Sequence, residues 1–189
     1  MTINRIGSLL TPVAVLALVL TGCDATGPTD TVILSENSVI PPTVEYTFDY
    51  ETNGGRPIGV VSQEADDLDS ILEQNGFRRA DVESARVDSV RLERLSSPET
   101  AAVAPKVFDY LTGATLYLGS GTEGTRVASA MFETTNLSVR LPVDRRDVTA
   151  VVQNGSANAF LQLSTTDDVS DRRDRVKATV YFRLEVGGV

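Results

Sequence analysis

The side chains able to do chemistry in this chain are few in kind. Its 189 residues include 26 Asp and Glu, 17 Lys and Arg, a single cysteine at position 23, and no histidine or tryptophan. Without an imidazole there is nothing to activate a serine or cysteine nucleophile in the Ser-His-Asp or Cys-His manner. The usual zinc donor sets, built from His and free Cys, are excluded as well. An enzyme on this chain would have to work with carboxylates, Tyr, Lys or Ser alone. The expectation is a protein that is not an enzyme, with no cofactor, no metal and no catalytic residue.

Four constellations still call for a reading. Gly119-Ser120-Gly121-Thr122-Glu123-Gly124 fits G-x-G-x-x-G after a predicted strand, with Asp144 about 20 residues further on. A dinucleotide site needs those glycines to open a helix inside a βαβ unit. The residues after Gly124 carry no long helical pattern, so a hairpin loop is expected. Asp167, Asp168, Asp171 and Asp174 crowd the approach to the last predicted strand. Calcium takes six to eight oxygens, but the EF-hand spacing and its central glycine are missing, and the interleaved Arg172, Arg173 and Arg175 would repel a cation. A solvated, self-neutralising loop is expected there. Glu64, Asp66, Asp67 and Asp69 suit the start of a helix, where the dipole favours negative charge. Tyr46, Phe48 and Tyr50 share one side of a strand and either line a ligand groove or face the core, and the core is the expectation. Glycoside hydrolysis by paired carboxylates finds no two of the 26 acids fixed at a working separation.

The remaining chemistry lies at the N-terminus. Met1 to Arg5 carries one basic side chain, and Ile6 to Leu20 is uncharged and rich in Leu, Val and Ala. A basic start, an apolar run and small residues before a cut describe a secretory signal peptide. A spanning helix wants about 20 apolar residues, and this run also contains Gly7 and Pro12, so a transmembrane reading comes second. The run closes on Leu20-Thr21-Gly22-Cys23: aliphatic, small, glycine, cysteine. In this it resembles a bacterial lipoprotein signal peptide, a resemblance covering residues 1–23. It implies lipidation of the Cys23 thiol, cleavage between Gly22 and Cys23, and acylation of the new amino terminus. Two or more acyl chains hold a protein stably on a membrane, each buried CH₂ contributing about 0.8 kcal/mol. The implied location is the cell envelope, facing the periplasm or the exterior. Asp24 resembles the inner-membrane retention signal of enteric bacteria, a rule confined to some bacteria, so inner and outer membrane both stay open.

Removal of residues 1–22 takes away one basic side chain and no acid, moving the formal charge from −9 to −10. Such acidity argues against nucleic acid, whose phosphates demand a basic face, and against lying flat on an anionic bilayer. The expected partners are the membrane, through the lipid on Cys23, and an envelope protein. About 167 residues remain, the size of one domain, able to bury a core without staples. The reading is 1–22 signal peptide, 23–42 lipidated cysteine and flexible tether, and 43–189 a single domain.

The elements that must position any site are mostly strands. Val44, Tyr46, Phe48 and Tyr50 alternate with Glu45, Thr47 and Asp49, and Val176 to Val186 alternates over an even longer run, as half-buried strands do. Residues 31–39, 114–118, 125–132, 137–141 and 159–163 add further strands. Val87, Val90 and Leu92 suggest another with a bulge where the spacing slips. Residues 64–75 and 144–153 carry short helical patterns. Seven or eight strands with one or two short helices point to an antiparallel β-sandwich or open barrel. The expected role is a non-catalytic binding or structural domain on a lipid anchor. The alternatives are a carrier of a small apolar ligand or lipid between the sheets and, last, a carboxylate-based hydrolase.

Overall fold

The longest alternating run in the sequence becomes the strand around which the fold is organised. In the computed structural model, which describes residues 31–53, 56–62, 64–65, 68–95, 111–119, 121–132, 138–155, 158–166 and 170–187, the chain forms β1 (Val32–Leu34), β2 (Thr43–Asn53), β3 (Ile58–Val61), β4 (Glu64–Ala65), α1 (Leu68–Gln74), β5 (Val82–Leu95), β6 (Leu111–Leu118), β7 (Thr125–Met131), β8 (Ser138–Leu141), α2 (Thr149–Gln153), β9 (Ala159–Thr165) and β10 (Ser170–Val186). Every pairing is antiparallel. One sheet runs β4-β2-β10-β5-β8, and β1 also pairs with β10; the other runs β3-β9-β6-β7. The fold is therefore the expected mainly β sandwich.

Period two decides what each strand buries. On β10, Val176, Ala178, Val180, Phe182, Leu184 and Val186 all face the core, and on β2 Val44, Tyr46, Phe48 and Tyr50 do the same. Leu116, Leu118, Leu161 and Leu163 come in from the second sheet, and Leu68 and Leu72 from α1. The bulge expected in β5 is present. Tyr181 pairs with Ser89 and Phe182 with Val87, leaving Asp88 as the extra residue. Without it a strict alternation would send Val87 and Val90 to opposite faces; with it both are buried.

The sheets meet along one edge. After β8 the chain crosses from the first sheet to the second, where Val143 bridges to Ala128, Ser129 N donates to Pro142 O (3.2 Å) and Asp144 N to Val127 O (2.9 Å). This seam gives the sandwich its open-barrel character.

Several elements differ in extent from the sequence reading. The edge strand expected over 31–39 is only β1, because Ser35–Ser38 closes a turn in which Ser38 N donates to Ser35 O (2.9 Å) and Ser35 N to Ser38 Oγ (2.9 Å). β1 lies inside the 23–42 stretch expected as a tether, so sheet pairing begins there at Val32. The helix expected over 64–75 is α1 alone. Glu64 and Ala65 instead pair with Thr47 and Tyr46 at the sheet edge. The helix expected over 144–153 is confined to α2, because 142–144 is spent on the seam and Arg145 adopts φ 50°. β3 has no counterpart in the sequence pattern: four residues interrupted by Gly59 carry too little periodicity. Its glycine has a packing reason, since a Cβ there would stand 2.4 Å from the Phe160 ring, which also meets Tyr117 at 6.1 Å. Gly22 and Cys23, the signal peptide, residues 24–30, the loop at 96–105 and Phe108 lie outside the described residues.

Candidate functional site

Three of the sequence candidates resolve into structure. Gly119 to Gly124 joins β6 to β7, which pair directly as an antiparallel hairpin. Gly119 and Gly121 take φ of 104° and 60°, and a Cβ at Gly124 would stand 2.6 Å from Leu118 O. These glycines serve a tight turn, and Asp144 accepts from Arg126 Nε (2.6 Å). Tyr46, Phe48 and Tyr50 are core residues, as expected.

The acidic approach to β10 divides. Asp167 and Asp168 lie outside the described residues, as do Asp66 and Asp67. Asp174 does not belong to a solvated loop. It stands in β10 in phase with Val176, points inward, and is buried. The Arg94 guanidinium grips it at both oxygens, Nε to Oδ1 at 2.9 Å and Nη2 to Oδ2 at 2.8 Å, with side-chain exposures of 8% for Arg94 and 0% for Asp174. Arg173 and Arg175 also have partners outside the acidic run. Arg173 pairs with Glu51 (3.0 Å) and Arg175 with Asp49 (2.5 and 3.0 Å), both directly across on β2. Among the described residues no group of three or more His, Cys, Asp or Glu is placed to hold a metal ion, and no helix is long and apolar enough to cross a membrane.

The outer face of the first sheet has two halves. Toward the start of β10, charges alternate in sign: the two arginines above are followed by Lys177, 2.9 Å from Glu45 and 3.9 Å from Glu93, and Thr179 Oγ1 donates to Glu45 (3.3 Å). The Arg175 hydrogen bond, opposed by some desolvation and reinforced by its charge, holds the Asp49 carboxyl below the usual carboxylate range. A depressed folded value means the pair contributes fully above the unfolded pKa and loses its contribution as pH falls through the lowered one. Asp49 is about half exposed, so the contribution is below about 1 kcal/mol. Asp49→Asn should therefore be slightly less stable than the parent near pH 6. That gap should close as the parent's Asp49 protonates below about pH 4, in paired urea titrations at several pH values. A gap that widens on acidification would contradict the assignment. Asp147, ahead of α2, is lowered likewise, by the Thr149 hydroxyl and then the Thr149 N–H (2.8 Å).

Toward the end of β10 the pattern inverts. Arg91 on β5 stands directly opposite Arg140 on β8, and Arg183 on β10 directly opposite Arg86 on β5. Like charges in facing positions destabilise a sheet. Arg183 Nε is buried with no hydrogen-bond partner among the described residues. At the first of these pairs lies a recess of about 250 Å³ lined by Glu36, Ser89, Arg91, Ser138, Arg140 and Tyr181. Glu36 Oε2 accepts from Arg140 Nη2 (2.7 Å) and Ser89 Oγ (3.2 Å), and Arg91 Nη2 donates to Ser138 Oγ (3.2 Å).

Topology brings Glu36 to this place. β1 and β2 lie on the same side of β10, whereas Ser89 and Arg140 lie on the other. The chain between β1 and β2 therefore straps across the outer face of β10. It is pinned where Asn75 Nδ2 donates to Ile40 O (3.2 Å) and Phe182 N to Pro42 O (2.8 Å). No sequence pattern marks Glu36, Arg91 or Arg140. The wet-face phase of Arg91 is readable, but which residue faces it depends on register.

No protein-family model matches the chain, and a search of curated protein sequences finds no match.

Proposed function

We propose that this chain is a bacterial envelope lipoprotein, held on the membrane by lipid on Cys23. Its sandwich would be a non-catalytic binding module that works through the outer face of the six-stranded sheet. One contrast carries the reading. Between the sheets, Phe48, Phe182, Leu92, Leu116, Leu161 and Leu163 are almost wholly excluded from solvent, which supports a filled interior over a carrier of apolar ligands. On the outside, arginines face arginines around an open polar recess. That recess presents one carboxylate, Glu36, among its described lining residues, where hydrolysis by a carboxylate pair needs two. The lipobox Leu20-Thr21-Gly22-Cys23 supports the anchor.

Cys23→Ser tests the anchor. Expressed in a bacterial host with radiolabelled palmitate, the parent should carry label and sediment with membranes. The variant should lose the label, accumulate as uncut precursor, and lose the acyl contribution of about 0.8 kcal/mol per buried CH₂. A Cys23→Ser protein still cleaved ahead of position 23 would overturn the assignment.

A further inference from the structure

We propose that the recess between β5, β8 and β10 binds a carboxylate ligand, and that Glu36 is a built-in occupant competing for it. The inference rests on the reading of this outer face as the binding face and adds the ligand's chemistry and a gate.

The site already shows what it recognises. A carboxylate sits in it on two donors of different kinds, the Arg140 guanidinium and the Ser89 hydroxyl. Charge-assisted bonds of this sort to arginine are the strong ones, and guanidinium geometry suits a carboxylate. Glu36 satisfies only part of the positive charge. Arg91, opposite Arg140, has Ser138 Oγ as its partner, and among the described residues neither Arg86 nor Arg183 is in an ion pair. A chain of formal charge −9 thus sets two facing arginines, Arg91 and Arg140, on this recess with one carboxylate among its described lining residues, and a second facing pair, Arg183 and Arg86, on the same sheet.

The occupant can leave. Glu36 and Arg140 keep 37% and 65% of their side-chain surface in contact with solvent, and ion pairs that exposed contribute little to stability. Glu36 also sits on a turn rather than in a strand, so its withdrawal breaks no sheet pairing. An incoming carboxylate would take Arg91 first and Arg140 once Glu36 moves, with the Tyr181 side chain beside it.

Full-length protein in detergent, titrated with glutarate by calorimetry, tests this. The parent should bind weakly. Glu36→Gln keeps a hydrogen-bonding side chain but removes the competing charge, so it should bind about tenfold tighter or more, as expected when an occluded fraction is released. Arg91→Gln in the Glu36→Gln background should abolish that gain, with its thermal unfolding confirming that it is folded. A folded Glu36→Gln protein that binds glutarate no better than the parent would show that Glu36 is only a structural contact and would overturn the proposal. So would inorganic phosphate binding as tightly as glutarate. An acetylated tetraglutamate peptide distinguishes the source of the ligand. Binding tighter than glutarate assigns the site to acidic side chains of a polypeptide, and weaker binding assigns it to a free dicarboxylate. The anchor is read separately from membrane fractionation of Cys23→Ser, so failure here and failure there are told apart.

Discussion

Replacing Asp174 with alanine should lower the unfolding free energy by about 3–5 kcal/mol, the cost of stripping one partner from a desolvated ion pair. The carboxylate is fully excluded from solvent, and Arg94 grips both of its oxygens. Its loss takes from the Arg94 guanidinium, in the inner layer beside Val176 and Tyr50, the carboxylate that grips it in two places. The counter-experiment separates the pair's net worth from the penalty of breaking it. Arg94→Met with Asp174→Leu removes both charges and fills the space with apolar atoms, a change that is often neutral or stabilising. The double variant should recover most of the stability lost by Asp174→Ala. Urea unfolding monitored by far-ultraviolet circular dichroism would measure both. A cost below about 1 kcal/mol for the single variant would mean that the pair behaves as a surface contact.

Phe48→Ala should be comparably severe, at about 3–5 kcal/mol, the range for deleting a buried aromatic ring. The ring is 0% exposed and faces inward where β2 meets β10, its residue paired with Val176. Deletion opens a cavity bounded by strands that are hydrogen-bonded on both sides and can collapse little. Phe48→Leu keeps most of the volume and should cost roughly 1–2 kcal/mol. The ratio between the two variants carries the information. A ring lining a ligand groove would lose little in either, whereas a core ring gives a steep dependence on volume.

Those two residues also show how far the sequence can be read. Phe48 is legible as core because aromatic residues in strict alternation over 44–50 leave one orientation. The same argument places Asp174 in phase with Val176, Ala178 and Val180, facing inward. The density of charge around it suggests a loop instead, because a strand's beginning leaves no mark when its first residues are Asp and Arg. The β5 bulge is visible in the slip between Val87 and Val90, and the hairpin at Gly119–Gly124 in its lack of a following helix. The recess is not legible. It depends on Arg91 facing Arg140, on Arg183 facing Arg86, and on a connection that crosses β10 to deliver Glu36. Register and crossings of that kind are set by contacts between residues 53 to 104 positions apart, which local periodicity does not encode.

The three rungs of β1 have a mechanical meaning. Val32, Ile33 and Leu34 pair with Val186, Glu185 and Leu184, and Val32 and Ile33 leave much of their surface in water. So short and lightly packed a strand is the part of a sheet that opens at the lowest free energy. Glu36 follows Leu34 by two residues, too short a stretch to absorb slack. Tension on the chain ahead of Val32 would peel β1 from β10 and draw the carboxylate from Arg140 and Ser89 in the same movement. Opening of β1 would therefore loosen the hold of Glu36 on Arg140 and Ser89.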